Sequence, residues 1–312
     1  MRILIISKYG NEIAIDKTEN LNNISSVYGY CFYHNFIKFC NEKNIPLEID
    51  IKGMNCDFST LDIYDYCFYL YNRGISLLSS ECYKTLKTKI KSKIFTIAPT
   101  SKIQGNEDYL LFFAGKIKDR TLRINLVSDQ DLLPRKQSDS KITILVDHEY
   151  YGNKESNIFK KDKTTQIIHS LLDFKEYWTG KPIEIIQINT NVEQGYSVIN
   201  NKDDIKHYDR LKATSFKNIY EIYSKSDIFV VTHPEALGLS CVECNQAGCK
   251  VVSPEGYIKE IYGKDLDIVY IKDDEYNWGD IINSLNSFRT HRKVRNLTYY
   301  KAIRYIFKKL KL

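Results

Sequence analysis

Apolar residues in this chain come in strand-sized runs, separated by stretches with helical spacing. Arg2–Ser7 (RILIIS) is almost continuously apolar, as expected of a central parallel strand covered on both faces. A polar stretch to Ser26 precedes an amphipathic helix over Val27–Glu42. Leu47–Lys52 alternates as a strand, and Tyr64–Tyr71 is an apolar, aromatic run. Ser79–Lys91 predicts a helix and Ile94–Ala98 a strand closed by Pro99. Such alternation predicts a parallel sheet with helices on both faces.

The polar segment Asp131–Ser140 (DLLPRKQSDS) interrupts this series and reads as a linker. A second series follows. Strands are predicted at Ile142–Val146, Ile183–Ile188, Ile228–Val231, Lys250–Ser253 and Ile268–Ile271. Helices are predicted at Lys163–Tyr177, Phe216–Tyr223 and Leu239–Gly248. The expected class is α/β, with two Rossmann-like doubly wound domains facing a central cleft. Ligands on such sheets bind beyond the carboxyl ends of the strands.

Composition narrows this further. The 312 residues are 43% hydrophobic and 27% charged, which is globular and excludes a disordered or fibrous chain. No apolar run approaches the roughly 20 residues of a spanning helix. MRILIIS, followed by Lys8, is too short for a signal peptide and reads as the first strand. A cytoplasmic protein is therefore expected. Cysteines stand at 31, 40, 56, 67, 82, 241, 244 and 249, mostly within predicted elements. They are expected to be buried free thiols of a reducing compartment. Cys241 and Cys244 have C-x-x-C spacing, but no second pair completes a zinc site.

The densest chemistry lies in Asp227–Gly256, DIFVVTHPEALGLSCVECNQAGCKVVSPEG. A buried strand enters a turn with Pro234 and Glu235. Gly238 lets backbone approach a ligand closely. A helix starts near Leu239 with its free N–H groups toward the crevice, a geometry suited to a diphosphate. Glu243 follows Glu235 by eight residues on that helix and can accept hydrogen bonds from hydroxyls of a sugar or ribose. Spacing alone is uninformative, since Glu176 and Glu184 share it around an unrelated turn.

With its strand, Gly-Leu helix start, Ala-Gly and Val-Val strand in register, this segment resembles the donor site of retaining GT-B glycosyltransferases. The likeness is to the family 4-like group with its E-x7-E motif. It is sharp over roughly 40 residues and elsewhere rests on element order. The resemblance implies that Glu235 contacts the transferred sugar. It implies that Leu237, Gly238, Leu239 and Ser240 offer N–H groups to the diphosphate, and that Glu243 holds the ribose. His233 is a further candidate ligand contact. The implied domains are an acceptor-side domain over 1–137 and a nucleotide-sugar domain over 138–290. A basic helix over 291–312 would pack back on the first. The implied donor is UDP-, GDP- or a similar nucleotide-linked sugar. No metal and no further cofactor are expected.

Two departures stand out. The strand ending ILVDHEYYGNKES lacks the family's Arg and Lys for the diphosphate, although Lys154, Lys160, Lys161 and Lys163 lie close in sequence. The first domain has no His between His34 and His148 to face the donor sugar, and Thr100, Ser101 and Lys102 are polar substitutes. In the first loop, Ser25 and Ser26 replace the family's Gly-Gly, with Ser26 a possible phosphate or sugar contact. Lys154 and Lys160 are named in the same role.

Net charge is +6, yet residues 281–312 hold nine Lys/Arg and no Asp or Glu, leaving 36 basic against 39 acidic residues in 1–280. Val294, Leu297, Tyr300, Ile303, Phe307 and Leu310 recur at helical spacing through this tail. Its basic face suits solvent, an anionic lipid surface carrying a glycan acceptor, or nucleic acid. The leading function is sugar transfer to a glycan or lipid-linked glycan, with peripheral membrane contact. The alternatives are a viral-type DNA glycosyltransferase acting on a hydroxylated base and a catalytically inactive GT-B-like binding protein.

Overall fold

The computed structural model describes residues 1–14, 27–71, 78–100, 106–114, 121–123, 140–147, 159–189, 208–212, 215–234, 239–258, 266, 268–272, 275–287 and 299–310. The chain divides into two compact units. One is Met1–Gln130 together with Asn296–Leu312, and the other is Asp131–Arg295.

In the first unit, β1 (Arg2–Ser7), β2 (Glu48–Gly53), β3 (Tyr64–Leu70), β4 (Ile90–Thr100), β5 (Tyr109–Ala114) and β6 (Thr121–Arg123) form one sheet. Its order is β2-β1-β3-β4-β5-β6, and every pairing is parallel. Side chains alternate across β3. Cys67 and Tyr69 pack with Leu4, Ile6 and Leu86 on one face. Phe68 turns to the other, 5.2 Å from Phe32 and 5.4 Å from Phe36 of α1 (Val27–Glu42).

Helix α2 (Ser80–Lys87) is shorter than Ser79–Lys91, the helix expected from the sequence. It starts where Ser79 Oγ accepts the Cys82 N–H at 3.1 Å. It ends because the sheet takes the following residues: Tyr64 donates to the Lys89 carbonyl at 2.8 Å and Ile90 registers with Tyr64. Lys87 then reaches back to the Ser92 carbonyl at 2.6 Å.

In the second unit, β7 (Ile142–Val146), β8 (Ile183–Asn189), β9 (Tyr208–Lys212), β10 (Ile228–Val230), β11 (Lys250–Pro254) and β12 (Ile268–Ile271) are also all parallel. Their order is β12-β11-β10-β7-β8-β9. Among the described residues the helices are α3 (Thr164–Tyr177), α4 (Phe216–Lys225), α5 (Leu239–Ala247) and α6 (Trp278–Asn283). Ile144, Val146, Ile167, Leu171, Ile228, Val230 and Trp278 belong to one buried core. Buried Asp227 locks β10 to β7: its carboxylate accepts the Thr143 N–H at 2.7 Å, and its own N–H reaches the Thr143 carbonyl at 2.8 Å. Glu184 bridges Lys141 at 2.7 Å.

The C-terminal helix α7 (Tyr299–Leu310) belongs to the first unit. Ala302, Ile303, Ile306 and Phe307 are buried, and the Phe307 ring lies 5.6 Å from Phe36 and 5.0 Å from Phe39 of α1. Arg304 and Lys308 are exposed, and Tyr305 is 39% exposed. Among the described residues no helix is long and apolar enough to cross a membrane. All eight cysteines are thiols; Cys82 is exposed, Cys56 half-buried and the other six buried. Burial pushes the Cys40 thiol up to about 11. Among the described residues no cluster of His, Cys, Asp or Glu is placed to hold a metal ion.

Candidate nucleotide site of the second unit

Strand order singles out one point on the second sheet. The chain steps outward from β7 to β8 and β9, then returns to lay β10 on the other side of β7. The carboxyl ends of β7 and β10 therefore form the topological switch point, where crevices open on sheets of this kind. Asp147, 3% exposed, ends β7 there; its N–H donates to the Val230 carbonyl at 2.8 Å and its carbonyl accepts from Gln187 Nε2 at 2.8 Å. Beyond β10 come buried Thr232 and His233, with Thr232 Oγ1 3.2 Å from His233 Nδ1.

Helix α3 starts at the same point. The Lys163 N–H donates to the Thr232 carbonyl at 2.8 Å, and Asp162 caps Thr164 N–H at 2.8 Å. Half-buried Lys163 lies with its ammonium 5.9 Å from the Tyr257 ring centroid. The Tyr257 hydroxyl donates to the Lys161 carbonyl and fixes that ring.

Helix α5 supplies the third wall. It ends at Gly248, which has φ of 104° and donates to the Cys244 and Asn245 carbonyls, both at 3.1 Å. That left-handed cap requires glycine. Glu243, buried at 6% exposure, lies beside Tyr223 of α4. Burial holds the Tyr223 hydroxyl well above its usual range. The nearby Cys244, Glu243 and Asp147 add to this, while a hydrogen bond from the Ser240 side chain opposes it.

Solved structures share this architecture over their whole length. A sucrose-phosphate synthase from Thermosynechococcus elongatus superposes with a TM-score of 0.62 at 11% identity, covering 100% of this chain and 98% of that one. The lipopolysaccharide outer core galactosyltransferase WaaB, in its apo form, gives 0.57 at 10% identity and covers 100% of both chains. Anabaena HepE in complex with UDP and glucose gives 0.56 at 12% identity, covering 100% and 99%. The chain has the GT-B fold. No protein-family model matches it, and no curated protein matches its sequence.

The GT-B chain brings some of the residues named from sequence to the switch point. His233 lies there, Ser240 and Glu243 are on α5, and Leu239 opens that helix. Glu235, Leu237 and Gly238 lie outside the described residues, as do Ser26 and Lys154. Lys160 is exposed in the 3-10 turn Phe159–Lys161. Sequence reasoning missed Asp147 and gave Lys163 no role. Asp147 had a usable signal, being the first polar residue after a buried strand.

Proposed function

We propose that this chain is a retaining glycosyltransferase of family 4-like type. It would move a sugar from a nucleotide-diphosphate donor to a glycan or lipid-linked glycan. The carrying observation is buried Glu243 on α5, the helix that follows β10, together with buried His233 and the start of α3 at Lys163 at the β7–β10 switch point. Glu243 would accept hydrogen bonds from the ribose hydroxyls. Glu235 would contact the transferred sugar. The N–H groups of Leu237, Gly238, Leu239 and Ser240 would face the diphosphate, with His233 against its sugar end.

The chemical difficulty of the reaction is the negative charge that develops on the departing diphosphate. Donors fixed before the reaction stabilise such charge without reorganising. The start of α5 supplies N–H donors and a positive dipole end. Lys163 supplies the cation that the sequence lacks in the family's usual place. In this reading the site uses no metal, and turnover should persist in EDTA. The UDP and glucose bound to HepE support UDP-glucose as the first donor to test.

Exposed Arg304 and Lys308 on α7 support an acceptor at an anionic membrane surface, since the helix's apolar stripe is already buried. The protein would then be cytoplasmic and membrane-peripheral. The test is a thermal-shift and hydrolysis screen with UDP-, GDP- and ADP-sugars. One donor class is expected to raise Tm and to be turned over. Glu235→Ala should abolish the turnover. A wild-type protein that neither binds nor hydrolyses any donor would sink the proposal.

A further inference from the structure

We propose that Tyr257 is the positioning residue of Lys163: its hydroxyl holds the turn that opens α3, and its ring lies under the Lys163 ammonium. That this ammonium serves a nucleotide diphosphate rests on the function proposed above; the placement itself rests on the following geometry. Strand β11 ends in the turn Pro254–Tyr257, where the Tyr257 N–H donates to the Pro254 carbonyl at 3.2 Å. Gly256 holds φ of 78° at the third position of that turn, where a positive φ favours glycine. The Glu255 N–H ties the same turn to the Ile271 carbonyl of β12 at 3.0 Å. Tyr257 therefore projects from a fixed backbone, and it is buried at 7% exposure.

Strand β10 separates β11 from β7 in the sheet, and α3 follows β7 in the chain. The Tyr257 hydroxyl therefore reaches across the end of β10 when it donates to the Lys161 carbonyl, 96 residues earlier. Two further bonds meet at the same turn. The Lys163 N–H donates to the Thr232 carbonyl and Asp162 Oδ1 accepts the Thr164 N–H, both at 2.8 Å. The backbone of Lys163 is thus held from both sides. Its ammonium stands over the Tyr257 ring, 5.9 Å from the centroid, within reach of a cation–π attraction. Lys161 is an exposed residue, so water can serve its carbonyl when the hydroxyl is gone. A phenylalanine would fill the ring's space equally well, so what the hydroxyl supplies is the position of the turn.

The experiment uses the full chain as wild type, Tyr257→Phe, Tyr257→Leu, Lys163→Ala, and Tyr257→Phe combined with Lys163→Ala. Amide hydrogen exchange at Lys163 and Thr164 is measured without ligand, and UDP and GDP affinity by calorimetry. In Tyr257→Phe that exchange should quicken about 3- to 10-fold, the scale of one hydrogen bond. Affinity for whichever nucleotide the wild type binds should fall by a similar factor. Tyr257→Leu also removes the ring and should lower affinity about 2- to 5-fold further, the scale of an exposed cation–π contact. In the Lys163→Ala background, Tyr257→Phe should change affinity by less than about twofold, because the group it positions is absent. A loss of equal size with and without Lys163 overturns the positioning role, since general loosening of the fold would not depend on that ammonium. Unchanged exchange in Tyr257→Phe overturns the hold on the turn. If the wild type binds neither UDP nor GDP, the proposed function fails while exchange still decides the hold. Tyr257→Phe, which keeps the ring's volume, keeps the test decisive should Tyr257→Leu unfold.

Discussion

The Lys163 N–H donates to the Thr232 carbonyl at 2.8 Å, and this bond brings the start of α3 to the strand end that carries His233. The bond belongs to the backbone, so substituting the side chain leaves it in place. Lys163→Ala should therefore fold normally and lose only the ammonium beside the site. A charge-assisted contact to a diphosphate is worth about 1.5–3 kcal/mol. Donor kcat/KM should drop roughly 10- to 100-fold, as that range implies. Lys160→Ala, at an exposed position, should change kcat/KM by less than twofold on the scale of ordinary surface substitutions. Equal losses in the two variants would remove Lys163 from the site.

Glu243 makes a second prediction, about donor chemistry. A buried carboxylate that accepts ribose hydroxyls should discriminate against a donor lacking one of them. Wild type should bind 2′- or 3′-deoxy donor about tenfold more weakly than the ribose form, the net value of one such bond. Glu243→Gln should weaken ribose donor while narrowing that preference. Calorimetry on the four combinations measures the coupling directly. A preference that survives in Glu243→Gln would place the ribose elsewhere.

Both α/β series were legible because buried parallel strands read as continuous apolar runs. RILIIS and ITILV each lie where the pattern puts them. Strand β5 was not assigned although YLLFFA is an apolar run, and strands β6 and β9 were not legible. TLR is three residues long and YDRLK has no apolar run, so each is a strand only because a neighbour offers its edge. The helix over Ser79–Lys91 was overextended because Thr88–Lys91 carry no breaker; their pairing with β3 decides the matter. Glu243 was named from its motif, and the structure adds that it is buried on α5. Asp147 was not assigned, because its place at the site comes from the β7–β10 crossover.

Helix α7 yields a prediction that separates its two faces. Its buried side is stapled to α1 by Phe307 between Phe36 and Phe39. Phe307→Ala should destabilise the chain by about 3 kcal/mol, the low end for a phenylalanine truncation, read as a lowered urea midpoint. Reversing charge on the exposed side, Arg304→Glu with Lys308→Glu, should leave that midpoint nearly unchanged. It should instead abolish sedimentation with vesicles containing anionic lipid, at about 1 kcal/mol per basic residue. Wild type that fails to sediment with such vesicles at low salt would remove the membrane from the proposed acceptor reading.

Asp108 gives a pH dependence with a definite sign. Its burial alone would raise the carboxyl, but three donors outweigh that: Lys87 Nζ at 2.8 Å, the Ile94 N–H at 2.7 Å and the Tyr83 hydroxyl at 3.0 Å. The folded carboxyl is held below its usual range. A carboxylate depressed on folding stabilises the fold fully above its unfolded value, about 3.9. That contribution fades as pH falls through the lower folded value. Asp108→Asn should therefore cost about 1–3 kcal/mol at pH 7, on the scale of hydrogen bonds to a charged group. The gap to wild type should close on acidification below about pH 4. Urea unfolding at pH 7, 5, 4 and 3 measures it. A gap that stays constant across this series would mean that the Lys87–Asp108–Ile94 link holds β4 and β5 by shape and not by charge.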